Sequence, residues 1–152
     1  MTSESTISES DPFNLQRFVS AQETIYTTVL AELHRGQKRT HWMWFIFPQF
    51  AGLGYSSTSR HYAIKSKAEA DAYLNHPLLG SRLVACAEAV LAIQGRSVTA
   101  IFGSPDDMKL HSSMTLFAAI TAPESVFAQV LAKYFDHKPD HKTLMLLESP
   151  TA

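Results

Sequence analysis

The sequence predicts an all-α fold, a single compact domain of six or seven helices with a Gly/Ser-rich loop after an aromatic segment. Three observations lead there. Apolar residues recur at spacings of three and four along most of the chain. The apolar–polar alternation of a half-buried strand is missing throughout. A chain of 152 residues that is 45% hydrophobic and 18% charged suits one domain with its own core, which excludes overall disorder and fibrous classes. The domain is expected over residues 12–148. An acidic tail at 1–11 is expected to be disordered, and 149–152 form a short C-terminal tail.

The elements follow in order. Leu15, Phe18, Val19 and Gln22, then Ile25, Val29, Leu30 and Leu33, give a helical stripe over Asn14–Arg35, its early part separable as a short helix. Gly36 is the natural stop. His41 to Phe50, HWMWFIFPQF, is apolar on every side, so period does not distinguish strand from helix. Pro48 ends it, and AGLGYSSTS is a loop. Ser66 can cap a helix from Lys67, with Glu69 in the capping-box position, and Asn75-His76-Pro77 breaks it. Pro77 suits the first position of the next helix, whose stripe is Leu79, Leu83, Cys86 and Val90, closed by Gly95. Ser97–Phe102 is short. Ser104-Pro105-Asp106-Asp107 reads as cap, proline and two first-turn acids, opening a helix to about Ile120. Pro123-Glu124 opens another, and a last turn or two spans His141–Leu147.

The net charge of −1 hides an asymmetry. Glu4, Glu9 and Asp11, three of the 14 acids, lie in the tail, so 13 bases face 11 acids in the body, a formal +2. No acid occurs between Glu32 and Glu69. That interval holds Arg35, Lys38, Arg39, Arg60, Lys65 and Lys67 together with Trp42, Trp44, Phe45, Phe47, Phe50, Tyr55 and Tyr62. Such a segment suits a surface that receives an anion bearing a flat ring, or a solvated basic rim beside an aromatic core. A nucleic-acid partner is not favoured, because +2 is far from a typical basic footprint. No apolar run reaches membrane-spanning length. The N-terminal residues lack the basic start and apolar run of a secretory signal. A cytoplasmic protein is expected. The one cysteine, Cys86, allows no internal disulfide and sits on an apolar stripe as an inert thiol.

Candidate chemistry concentrates on the Pro105 helix. Leu110, Met114, Phe117 and Thr121 define its buried side. Asp106, Lys109 and Ser113 fall near that face at i,i+3 and i,i+4 spacings, so they form either a local ion pair or the polar wall of a pocket. Trp42 and Trp44 suit stacking on a base or packing in a core. Lys38 and Arg39 suit a phosphate or simple solvation, and Gly52 and Gly54 an anion or a plain turn. His137 and His141, with Asp136 and Asp140, have a spacing seen in metal pairs, but no second pair completes a site, so neither metal nor cofactor is implied.

The stretch GQKRTHWMWFIFPQFAGLGYSS, followed in order by EADAYLNHPLLGSRL, IFGSPDDMKLHSSMTLF and DHKTLMLL, resembles the bacterial and fungal family of domain of unknown function 1810 over about residues 13–147. That family is described as mainly α-helical and carries no established activity. It has at times been labelled calpastatin, a label that a compact aromatic-rich chain does not fit. The family-like positions are Lys38, His41, Trp42, Trp44, Pro48, Gln49, Gly52, Gly54, Ser56, Tyr62, Glu69, His76, Arg82, Asp106, Lys109, Ser112, Ser113, Thr115, Asp140 and Thr143. His111 stands where the family often has Arg. A fainter likeness, over Tyr62–Gly80 and Met114–Phe117, is to an all-α family proposed to act on NAD- and ADP-ribose-like compounds.

Two functions are weighed. In the first, the protein takes a small phosphorylated or nucleotide-like ligand and hydrolyses an N-glycosidic bond. Glu69 and Asp106 would be the catalytic carboxylates, and Lys38, His41, Trp42, Trp44, Gln49, Tyr62, Arg82, Lys109 and Ser113 the ligand contacts. In the second it is a non-enzymatic module that meets an acidic protein partner. A pocket should gather Lys38, Trp44, Asp106 and Ser113 in a concavity of a few hundred Å³. A module should show a broad exposed apolar patch instead.

Overall fold

The computed structural model describes residues 11–148. The expectations for a disordered stretch before Asp11 and for a tail at 149–152 lie outside the described residues. Among the described residues the chain is helical without strands, and none of its helices is long and apolar enough to cross a membrane. Ten helical segments appear where six or seven were expected: α1 (Gln16–Gln22), α2 (Tyr26–His34), α3 (Met43–Ile46), α4 (Ser57–His61), α5 (Lys67–Asn75), α6 (Leu79–Ala92), α7 (Val98–Phe102), α8 (Asp106–Ala118), α9 (Val126–Phe135) and α10 (His141–Glu148). The excess is short pieces. α3, α4 and α7 have only four or five residues each, too few to show a period in sequence.

The long stripes behave as their spacing requires. On α6, Leu79, Leu83, Cys86 and Val90 are all buried. On α8, Leu110, Met114 and Phe117 are fully buried, and so are Ser113, Thr115 and Leu116, so this helix is enclosed on most sides. α8 packs against α7, α9, α10 and α3, while α6 packs against α2, α5, α9 and α3. α9 and α3 therefore tie the two central helices together. Lys133 and Tyr134 of α9 donate to the carbonyls of Val90, Leu91 and Ile93, closing the C-terminal end of α6.

Helix starts differ from expectation where a neighbour supplies the cap. Ser66 does cap α5, its Oγ accepting from Glu69 N at 3.0 Å. Glu69, however, reaches one residue further back than a capping box, to Lys65 N at 2.9 Å. α6 does not start at Pro77. His76 Nδ1 accepts from Leu78 N and Leu79 N and caps it. α8 begins at Asp106 after a cis Ser104–Pro105 bond, with Pro105 at the cap position and no side-chain cap bond. α9 is capped by Ser125, not opened at Pro123-Glu124. Asp11, expected to end the tail, accepts from Leu15 N and Gln16 N ahead of α1.

The segment that follows the aromatic block is fastened at its base. Ala51 N donates to Ile64 O at 2.8 Å and Ile64 N to Gln49 O at 2.9 Å, an isolated parallel bridge that closes residues 50–64 into a loop. Gly52 at φ +103° turns this loop against Leu146 of α10. Gly54 lies so close to α4 that a Cβ there would stand 2.5 Å from Ser59 Cβ. The loop is thus laid beside α8 and α10.

Candidate functional site

Two adjoining hollows open along this loop. The first, about 180 Å³, is lined by Trp44, Gln49, Ala51, Gly52, Arg60, Tyr62 and Lys65, among others. The second, about 330 Å³, lies against α8 and α10 and is lined by Lys109, His111, Ser112, Asp140 and Lys142, with Leu53, Pro105 and Met108. Gln49, Gly54 and Ser59 line both, so the hollows meet there. Together they fall in the size range of small-molecule sites, roughly 300–1,000 Å³.

Lys109 stands at the junction. Its ammonium lies 5.0 Å from the centroid of the Trp44 ring and 3.5 Å from Asp106 Oδ1. Asp106 Oδ2 is bound more tightly, at 2.8 Å, by Lys38. Lys38 is almost wholly buried, with its side chain 5% exposed. Its Nζ also donates to Thr40 O at 2.5 Å and lies over the Trp42 ring, and its backbone N–H donates to Ile101 O. One carboxylate thus serves two ammonium groups, and the second of them lines the cleft. That leaves a net positive charge on the cleft wall.

Around the second hollow, α8 and α10 are knotted together. Asp140 Oδ2 accepts from Thr143 N and Thr143 Oγ1, the latter at 2.5 Å, and from Ser112 Oγ at 3.3 Å. Asp140 N donates to Thr115 Oγ1. His111 stacks on Phe135 with ring centroids 4.2 Å apart, and its Nε2 lies 2.7 Å from Lys138 O. A carbonyl can only accept, so Nε2 carries the proton and Nδ1 is the acceptor in the neutral ring.

The remaining expected site residues lie elsewhere. Trp42 is fully buried, its Nε1 donating to Glu32 Oε1 at 2.9 Å, so neither face is open. Glu69 is buried against Arg17 at 2.6 Å. That guanidinium also donates to the carbonyls of Phe13, Asn14, His61 and Ala63, which makes the pair a staple between α1 and the start of α5. Arg82 donates to Gln22 Oε1, lies over Tyr26 and lines neither hollow. Ser113 is fully buried, and its Oγ has no hydrogen-bond partner. His41 is exposed and lines neither hollow. Of the quartet expected to share one concavity, only Trp44 lines a hollow. Asp106 and Lys38 stand behind it through Lys109, and Ser113 is in the core. Trp44, Gln49, Tyr62 and Lys109 are brought together.

Sequence reasoning passed over Ser59, Arg60, Lys65 and Lys142 as site residues, and treated Asp140 mainly as a metal-pair neighbour. Loop closure and the docking of α10 bring these in, and only the acid-free interval hinted at Arg60 and Lys65. It also passed over Glu32, a buried carboxylate on α2 that accepts from Arg39 N, Thr40 N, Thr40 Oγ1 and Trp42 Nε1. Burial alone would raise its pKa, but these four donors overcome it and hold the group at about 2. Glu32 thereby sets the path of the segment that carries Lys38 and leads into α3. Its signal was in the sequence: it neighbours Leu33 and lies three residues from Val29 on the buried face.

A comparison with curated proteins finds no match. Among solved structures, the chain is similar to the crystal structure of the conserved hypothetical protein Rv1873 from Mycobacterium tuberculosis. The two share 52% identity and a TM-score of 0.90 over 92% of this chain and 100% of that one. The family model described as protein of unknown function (DUF1810) matches residues 12–147. With that match spanning nearly the whole chain, the protein belongs to the DUF1810 family.

Proposed function

We propose that the cleft between the 50–64 loop and helices α8 and α10 binds a small phosphorylated, nucleotide-like compound. The observation that carries this reading is the unequal sharing of Asp106, which leaves Lys109 with the longer contact, 3.5 Å against 2.8 Å for Lys38, at the wall of the cleft. Trp44 and Tyr62 on the adjoining wall supply flat apolar surface, and Gln49 and Ser59 supply polar groups to orient a ligand. Turnover of an N-glycosidic bond in this cleft requires a carboxylate on its wall. Glu69 and Asp106 line neither hollow, and Asp140, which lines the second, is held by Thr143 and Ser112, so the proposal is one of binding.

Phosphate binding, measured by calorimetry at low salt, tests the reading through two substitutions of opposite sign. Lys109→Gln removes the cleft-lining charge and weakens binding about tenfold, the direction charge loss requires. Asp106→Asn removes the shared counterion, keeps an amide oxygen for Lys38, and strengthens binding by about threefold. Binding unchanged in Lys109→Gln protein that melts like the wild type refutes the reading. In that case a salt-sensitive pull-down of an acidic protein would favour the interaction module.

A further inference from the structure

We infer that the two hollows receive the two ends of one ligand, the flat ring beside Trp44 and Tyr62 and the phosphate beside Lys109, with a hydroxylated spacer between them. The ligand class is then a nucleoside phosphate rather than a sugar phosphate or a free base. The inference rests on the reading of the cleft as a phosphate-compound site and adds its polarity.

The argument starts from the unequal furnishing of the hollows. The indole and the phenol both line the first and not the second, and the first hollow's cations, Arg60 and Lys65, are exposed residues. The second hollow has no aromatic ring except the imidazole of His111. Its lysine is the better placed for an anion, because Lys109 is only 23% exposed and competes with Lys38 for one carboxylate. A charge–anion contact gains strength as water is removed, so the phosphate belongs at Lys109. The carboxylate in this hollow is already committed. Asp140 Oδ2 takes three donors from Thr143 and Ser112, and Lys142 lines the same hollow.

The junction fixes what connects the ends. Gln49 and Ser59 line both hollows and offer an amide and a hydroxyl, beside Gly54, whose missing Cβ would otherwise press on Ser59. Groups that both donate and accept match a spacer bearing hydroxyls, which is the chemistry of a ribose. Lys109 lies against Trp44 while lining the second hollow, so ring and phosphate contacts are adjacent by construction.

Calorimetry and tryptophan fluorescence on the intact chain separate the two ends, with inorganic phosphate, adenosine and adenosine 5′-monophosphate as probes. The expected result has four parts. The monophosphate binds at least tenfold tighter than either fragment, and adenosine and phosphate bind together without competing. Lys109→Gln weakens phosphate and the monophosphate but not adenosine. Trp44→Leu weakens adenosine and the monophosphate but not phosphate. Tyr62→Leu repeats the ring arm should Trp44→Leu fail to fold. Phosphate binding that is lost in Lys109→Gln, with adenosine competing against phosphate or with the monophosphate binding no tighter than phosphate, overturns the polarity and leaves the anion site standing. Absence of phosphate and monophosphate binding from folded protein overturns both.

Discussion

Glu32 gives the sharpest quantitative test of how this fold holds its site. Four donors keep its pKa at about 2, against an ordinary 4.5. The folded state therefore resists protonation, while the unfolded chain takes up the proton near the ordinary value. The group's stabilisation is full above about pH 5 and is lost as pH falls through 4.5 toward 2. A shift of about 2.5 units at 1.36 kcal/mol each is about 3 kcal/mol, of which about 2 kcal/mol is gone by pH 3. Glu32→Gln removes the titration and adds a pH-independent offset, because its amide presents a donor to a nest of donors. Urea unfolding of wild type and variant at pH 7, 5, 4 and 3 isolates the effect, since every other carboxylate titrates in both proteins. The gap between the two should narrow by about 2 kcal/mol between pH 7 and pH 3. A gap that stays constant within about 0.5 kcal/mol, well below the effect expected, would refute the claim that hydrogen bonding to the ionised form outweighs burial.

Two other outcomes follow from packing. A Cβ at Gly80 would stand 1.9 Å from the carbonyl oxygen of Leu74 and 2.8 Å from its carbon. Both are backbone atoms, so the crossing of α5 and α6 must open, and Gly80→Ala should cost about 3 kcal/mol or more, lowering the melting temperature by about 6–12 °C; wild-type melting would contradict this. Burial pushes the Cys86 thiol up to about 12, so it should resist a disulfide reagent at pH 8 in the native protein and react once urea unfolds the chain. Prompt labelling in native buffer would show that α6 opens locally.

The sequence was legible where a signal is local and redundant. The stripe of α6 and the Ser66 cap of α5 depend on residues within one or two turns, and both appear where expected. The start of α8 was legible as a helix with two first-turn acids, but its Ser104 cap is absent and the partner of Asp106 is Lys38, 68 positions away. α3 was ambiguous for a related reason. HWMWFIF has no polar face, and its short helix is held by distant partners, Gln22 and Tyr73 donating to Phe45 O. At the cleft, the acid-free aromatic interval pointed to Trp44 and Tyr62. It could not separate Trp44 from Trp42, because burial of one indole is decided by Glu32 and Lys38 around it. Ser112, Thr115 and Thr143, noticed only as family-like positions, form one hydrogen-bonded knot at the cleft with Asp140.

Three acids near these segments show why charge imbalance, rather than burial of a carboxylate, marks the proposed site. Glu69 is matched one to one by Arg17, whose remaining donors are spent on carbonyls. Glu32 is matched by four uncharged donors. Both are satisfied within the fold, and satisfied buried charges serve geometry. Asp106 alone is contested, and its buried partner takes the shorter contact. Because Lys38 is also held by Thr40 O and by its own backbone bond to Ile101 O, it cannot yield Asp106 without disturbing the segment that Glu32 fixes. The excess charge therefore remains on Lys109, on the side where the loop and α10 leave space. On the proposed reading an arriving anion completes an arrangement that the protein's own acids leave open, and the opposite signs expected for Lys109→Gln and Asp106→Asn follow from that asymmetry.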